Sequence, residues 1–591
     1  MGDSESEDSD AEGGLGNVSR VVMRPPGHSG KAKKGHLCFD ASFETGNLGK
    51  VDLISDFEYD LFIRPDTCNP YHRMWFNFIV DNIKLDQRVL FNIVNISKHK
   101  NHFCDGMTPI VKSTSRKKWN RMPPHQVYYY RSPYHNDNYV LTLAFCFDKE
   151  EEAYQFSYSY PYSYTRCQAY LELIERKTLP HFKRELLGNS LQKRRVDIVT
   201  ITHPSNMELR SKIRMVVICS RVHPGDSPSS YVCQGIIDFL ISNHPVAEKL
   251  RNNVVFKIIP MINPDGVVLG NFRSNLLGAD FNRNWNRISQ WMHPPLHAIN
   301  NTINKLNAHK NVELDFVIDI HAHCSLCGVF VHGNTYEDVY RHERHTLFPK
   351  LLSQNIDGYE PNYCMFNRDP KQKGSCRRFF SNLRETVNCY SIFTSFYGYT
   401  RKSNKTFIHF NEELYHRVGR NIVRSFSDYY RYVGVLPAKP KSTKSTTTTT
   451  TKSARKKPSK KSKHRAKVRT HSKIKRRKFK KLRRRYHHHR SKKIKQALRV
   501  ITSVELKSKL DLKKGFIDFS NIEFPKPSID NQKRMITIRR KLLSRFRNVK
   551  CAEEQESSNS LSRKDDNSAS KTESSIKIIT IGEGYLDKLR V

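Results

Sequence analysis

"RMVVICSRVHPGDSPSSYVCQGIIDFLIS", Arg214–Ser242, reads as a strand, a turn and a helix in direct succession. "RMVVICS" is a short apolar run of the kind buried on both faces of a parallel sheet, and the residues after Pro228 carry apolar side chains at helical spacing. His223 and Asp226 stand in the turn between them, three residues apart. In an open α/β sheet, ligands bind outside the carboxyl ends of the strands. A histidine and a carboxylate at such a place can converge on a metal ion, or can be two polar residues of a turn. The rest of the chain has to decide.

Outward from this stretch the same texture continues. "NVVFKIIPMINP", "ELDFVIDIHAH" and "CYSIFTSFYGY" are further buried strands, and Leu414, Val418, Ile422 and Phe426 mark one face of a long amphipathic helix. Residues 166–434 are therefore expected to form an α/β domain with a mixed or mostly parallel sheet. Upstream, "YDLFIRPD", "MWFNFIV", "RVLFNIVNIS" and "NYVLTLAFCFD" are rich in β-branched and aromatic residues, separated by turn-like segments without helical periodicity. They predict an all-β sandwich domain over 36–165.

The ends differ from both domains. Residues 1–35 begin "MGDSESEDSDAEGG" and read as an acidic, disordered leader without the apolar core of a secretory signal. Residues 435–591 read as a mostly disordered, strongly basic tail, with 28 Lys and Arg between Pro437 and Val504 and no Asp or Glu. That segment supplies much of the net charge of +45, and the polar ends help explain a hydrophobic fraction of only 37%. No run of about 18 apolar residues offers a membrane span. The 13 cysteines lack a regular spacing, which favours reduced thiols over a disulfide framework. These features predict a soluble, cytoplasmic protein.

Zinc in catalytic sites takes three protein ligands and leaves one position open. His223 and Asp226 need a third partner, and "VIDIHAH" offers His321 and His323 at the end of another buried strand. A rival grouping is a structural zinc site at His321, His323, Cys324 and Cys327, although no second Cys/His pair at suitable spacing supports it.

Taken together, "YDLFIRPDTCNP", "PIVKSTSRKKW", "YQFSYSYPYSYTR", "HPGDSPSSYVCQGIIDFL", "PMINPDGVVLGNFR", "DFNRNW" and "IDIHAH" resemble the cytosolic carboxypeptidases in order and spacing. This is a branch of the zinc metallocarboxypeptidases, and the likeness spans about Phe39 to Gly434. The resemblance implies a carboxypeptidase-like domain behind the branch's β-sandwich, and one zinc ion on His223, Asp226 and His321. The family normally has glutamate where Asp226 stands. It further implies that Asn282 and Arg283 hold a substrate's terminal carboxylate and that Arg273 stabilises the developing oxyanion. Lys373, Arg377 and Arg378 in "NRDPKQKGSCRR" would form a basic wall suited to acidic side chains, with Ser375-Cys376 replacing the family's Thr-Gly. Members of the branch remove glutamates from side chains or acidic C-terminal tails, tubulin prominent among them.

One group is missing. The family's general-base glutamate lies in a strand reading approximately Tyr-Thr-Leu-Glu-Val-Ser-Phe-Tyr, whereas the matching stretch here is "YSIFTSFY", with Phe393 at the glutamate position. A phenyl ring exchanges no proton. Glu385 precedes the strand, Asp319 is placed to support His321, and Tyr397 is too basic as phenolate to serve at neutral pH. Loss of a general base costs about 10² to 10⁴ in rate, so an inactive or weakly active protein is expected. Two function classes follow. One is a zinc carboxypeptidase or deglutamylase with residual or full activity. The other is a non-catalytic binder of glutamylated or acidic tails, tubulin and microtubules foremost, anchored by its basic tail. That tail also suits other polyanions, nucleic acid included, cytoskeletal association, or nuclear import.

Overall fold

A computed structural model describes residues 16–28 and 30–438. The basic tail expected from 435 onward lies outside the described residues except for its first four positions, and so does the start of the acidic leader.

The leader ends sooner than its composition suggests. Val21–Val22 forms a short strand antiparallel to Cys38–Asp40, Val18 is buried, and Asn17 donates to Ala41 O and Gly46 O. Residues 16–28 and 30–35 thus belong to the folded body. The physical reason is that a few apolar residues, Val18, Val21 and Val22, suffice to add an edge strand when a sheet already waits for them.

The next 120 residues form two stacked sheets. One has six strands, including Asn77–Asp81 and Tyr154–Ser157, and the other has five, including Glu58–Phe62, Arg88–Ile93 and Asn138–Cys146. Their inner faces meet through Phe39, Tyr59, Phe78, Phe91 and Phe156, packed ring against ring. This is the sandwich expected from the strand pattern.

The second region is built on an eight-stranded mixed sheet. Its order is Phe182–Asn189, Arg195–Ile201, Val254–Ile259, Ile213–Ser220, Val312–His323, Asn388–Ser395, Val329–Gly333 and Met365–Phe366. Four central strands, Val254–Ile259 to Asn388–Ser395, are parallel to their neighbours, and antiparallel pairs flank them. Helices cover both faces, which explains the unbroken apolar runs of the central strands. Ser227–Ile241 and Glu412–Tyr432 pack on one face, crossing where Gly235 meets the backbone of His416. Pro294–Ala308 covers the other face with Leu296, Ile299 and Ile303.

The two regions share a core. Ala322, Cys324, Phe396 and Tyr397, at the ends of two central strands, are packed into the same apolar cluster as the sandwich interior. The carboxyl ends of the parallel strands consequently lie against the β-sandwich, and the candidate site forms there.

Candidate metal centre

Strand Ile213–Ser220 ends in a turn that is held from several sides. Arg221, almost fully buried with φ of 56°, folds its guanidinium back to donate to Pro224 O at 2.8 Å and Ser230 Oγ at 2.9 Å. Gly225 donates to Phe272 O at 2.8 Å, and a Cβ there would come within 2.6 Å of the Phe272 ring. Asp226 is the N-cap of helix Ser227–Ile241, yet its side chain makes no capping hydrogen bond. The carboxylate is turned instead toward two histidines.

His223 Nδ1 lies 3.3 Å and His321 Nδ1 3.2 Å from Asp226 Oδ2. All three side chains are buried, and one ligand atom from each lies within 4.8 Å of the others. Ligands bound at about 2.0–2.2 Å to a tetrahedral zinc ion stand roughly 3.4 Å apart. The shorter aspartate therefore reaches the position that the spacing requires. The opposite ring nitrogens are occupied. His321 Nε2 lies 2.6 Å from Asp319 Oδ2 and His223 Nε2 3.1 Å from Asp280 Oδ1. Carboxylates on Nε2 place the N–H there and direct the Nδ1 lone pairs at the shared point, the arrangement that outer carboxylates impose on metal-binding imidazoles. Two nitrogen lone pairs and a carboxylate oxygen facing one another fit a cation.

The electrostatics agree. Burial alone would raise the Asp226 carboxyl, but the two imidazoles outweigh it and hold the group well below the usual carboxylate range. Burial opposes charge on His321, yet Asp319 and Asp226 prevail and push it up to about 9.

Phe393 stands beside this group. In the parallel register it is the partner of His321, and on its other side it pairs with Phe330. The three rings stack across the strands, with centroids 5.1 Å and 5.2 Å apart and planes within 16° and 12°. His332 flanks the phenyl ring at 4.5 Å. Asp280 and Asp319 face the Nε2 sides of the imidazoles, away from the shared point.

Of the remaining expected residues, Arg273 is the best oriented. Its Nε donates to Asp280 Oδ2 at 2.7 Å, joining it through one carboxylate to His223. Its loop hangs from the sandwich. Asp66 accepts the backbone N–H groups of Phe272, Arg273 and Ser274 at 2.6, 2.7 and 2.7 Å. Asn282 lies against the site, with Nδ2 2.9 Å from His321 Nε2 and Oδ1 accepting from Cys376 N–H at 2.9 Å. Its carboxamide is engaged within the protein. Arg283 is exposed, with one N–H on Asn282 O. Arg377 is buried and committed to Gly333 O, Asn334 Oδ1 and Asn367 Oδ1, burial and then the Arg378 charge pushing it down to about 10. Lys373 is exposed, and Arg378 sits in the field of Arg368 and Tyr336. The basic wall is thus one structural arginine with more open cations around it. Cys376 is buried beside the Cys219 thiol.

The rival grouping does not assemble. Cys324 Sγ is in contact with Lys98, and His323 Nδ1 accepts the N–H groups of Ser325 and Leu326. Among the described residues, His223, Asp226 and His321 form the one cluster with metal-ligand spacing. Asp280 and Asp66 were not singled out by sequence. Asp280 opens the quoted "DFNRNW" and Asp66 lies in the quoted "YDLFIRPDTCNP", but the N–H groups its carboxylate accepts are 206 or more residues away.

Comparisons with known proteins agree with this architecture. A profile described as zinc carboxypeptidase matches residues 167–356, and one described as the cytosolic carboxypeptidase N-terminal domain matches 39–158. Human cytosolic carboxypeptidase 6 is 52% identical over 417 residues, 70% of this chain and 83% of that protein. The Caenorhabditis elegans protein of the same name is 40% identical over 427 residues, 71% and 91% of the two chains. A crystal structure of a metallo-carboxypeptidase from Burkholderia cenocepacia shares the fold with a TM-score of 0.56 at 20% identity, covering 67% of this chain and 99% of its own. Matched sandwich, matched catalytic region and near-full coverage of the relatives together place this chain in the cytosolic carboxypeptidase branch of the zinc carboxypeptidase family.

Proposed function

We propose that this chain binds one zinc ion at His223, Asp226 and His321, recognises acidic C-termini or glutamate side chains, tubulin tails among them, and hydrolyses them poorly or not at all. The observation that carries this reading is the stack of Phe393 between His321 and Phe330. When bound, zinc supplies Lewis acidity toward a scissile carbonyl. The chain's own residues retain the other half of recognition. Arg273, fixed by Asp280, is aimed to meet a carbonyl oxygen as it gains charge. Arg283 is free to pair with a carboxylate, and the field of Arg377 and Arg378 favours an acidic ligand. What is lacking is a proton acceptor. The Phe393 ring offers a water molecule beside the imidazoles no proton acceptor, so the transfer that hydrolysis requires has no partner.

Residual hydrolysis is the second reading, favoured by the intact ligand triad and by Arg273. On either reading the basic tail serves as an electrostatic anchor to a polyanion, microtubules first, which suits a cytoplasmic, cytoskeleton-associated location. Purified full-length protein should contain about one zinc and bind glutamylated tubulin or a glutamylated tail peptide, while releasing glutamate far more slowly than an active relative assayed in parallel. Release at the relative's rate, abolished by chelation, would overturn the proposal. Salt should weaken the tail's contribution steeply.

A further inference from the structure

Where the β-sandwich meets the strand that carries His321, Lys98 Nζ lies 2.8 Å from Cys324 Sγ. This is within the range for N–H···O bonds although sulfur is the larger atom. Lys98 follows the sandwich strand Arg88–Ile93, and Cys324 is the first residue after Val312–His323. Both partners are held. Asn101 Nδ2 donates to Lys98 O at 2.6 Å, and His102 N–H donates to Cys324 O at 2.9 Å. The His102 ring, fully buried, reaches His323 O at 3.2 Å and Ser395 Oγ at 2.9 Å. Its Nδ1 has no hydrogen-bond partner and faces Asp105 Oδ2 across 3.5 Å. An amine and a thiol are thus pressed together, next to a segment held by the buried His102. Cys324 is 6% exposed whereas Lys98 is exposed. A small oxidant can enter from the lysine side, and bulky thiols are kept out.

We propose that Lys98 and Cys324 form a covalent N–O–S bridge under oxidising conditions, a modification site that ties the sandwich to the strand bearing His321. The oxidant is dioxygen. One N–H and the S–H bond break, while N–O and O–S bonds form around one oxygen atom. The second oxygen leaves as water with the two hydrogens. Dioxygen takes four electrons, two from sulfur and two from nitrogen. A single oxygen fits between the atoms at close to their present separation. Reduction reverses the step, two equivalents of a dithiol restoring amine and thiol and releasing the bridging oxygen as water.

The test is mass spectrometry of full-length protein held in aerated buffer, alkylated with iodoacetamide after denaturation and digested. The expected product joins the Lys98 and Cys324 peptides with the mass of one oxygen less two hydrogens above their sum. It should disappear after dithiothreitol, and Lys98→Arg, a change at an exposed side chain, should lack it while keeping its melting temperature. Full alkylation of Cys324 in the aerated wild type would overturn the proposal. So would loss of two hydrogens alone, which would mean a Cys324–Cys327 disulfide, or a Cys324 oxyacid without Lys98 attached.

Discussion

At the scale of single residues, the proposed function turns on two side chains, Asp226 and Phe393, that stand where the resemblance expects glutamates. Asp226 keeps a carboxylate, and its oxygen lies 3.2–3.3 Å from both imidazoles. Asp226→Asn, similar in size but uncharged, should weaken zinc by about tenfold or more in chelator competition. On the proposed reading, Phe393 keeps the strand and removes the proton acceptor. Phe393→Glu should raise glutamate release by on the order of 10², short of a full family rate, because the new carboxylate enters a box of Phe330, His332 and His323 rings. Burying it there should lower stability by roughly 1–3 kcal/mol. Paired kinetics and melting curves check both halves, and an inert but well-folded variant would show that more than the base is missing. Both positions could be picked out in the sequence through the resemblance, Asp226 in "HPGDSPSS" and Phe393 in "YSIFTSFY". Asn282 was less legible, because its contact with His321 and the hydrogen bond it accepts from Cys376 depend on two distant segments.

At the scale of elements, the segment Leu269–Asn275 is a hanging loop rather than a self-supporting turn. Asp66 takes three of its backbone N–H groups, Arg64 donates to Leu269 O and Asn271 Oδ1, and Asn47 donates to Gly270 O at 3.0 Å. The sandwich thus shapes the loop that presents Arg273, which gives it a part in placing that side chain. The central strands could be read from their unbroken apolar runs and helix Glu412–Tyr432 from its 3.6-residue apolar repeat. This dependence could not, since it joins residues some 200 positions apart. Asp66→Ala leaves buried N–H donors unpaired at about 1–3 kcal/mol each. A total of roughly 3 kcal/mol is expected in denaturant midpoints, together with at least tenfold weaker binding of an acidic peptide. Unchanged peptide affinity would mean that Arg273 is positioned by Asp280 alone.

At the scale of the whole described fold, the sandwich and the α/β region are joined by a common apolar core, and buried histidines stand where the elements meet. His102 comes from the sandwich and bonds the ends of two central strands, while His345 accepts Asn334 N–H at 3.0 Å and stacks on Tyr390 at 4.3 Å. Burial pushes His102 down to about 4, partly opposed by its bond to His323 O and the nearby Asp105 charge, and pushes His345 down to about 3, opposed by Asn388. Both lie below the ordinary value near 6.5 that the unfolded chain keeps. The unfolded state therefore binds more protons between these limits, and stability rises with pH there. The contribution is complete above about 6.5 and is lost as pH falls toward 4 and then 3, each histidine adding a slope of up to about 1.4 kcal/mol per pH unit. Denaturant midpoints measured from pH 7.5 to 4 should fall steeply below 6.5. His102→Gln, which keeps hydrogen-bonding capacity without a titrating ring, should flatten that fall by one proton's worth, whereas an unaltered slope would place the acid sensitivity elsewhere. Because the His102 ring touches His323 O and Ser395 Oγ, the first structural consequence of acid should be faster amide exchange at the carboxyl ends of Val312–His323 and Asn388–Ser395, before the outer strands respond.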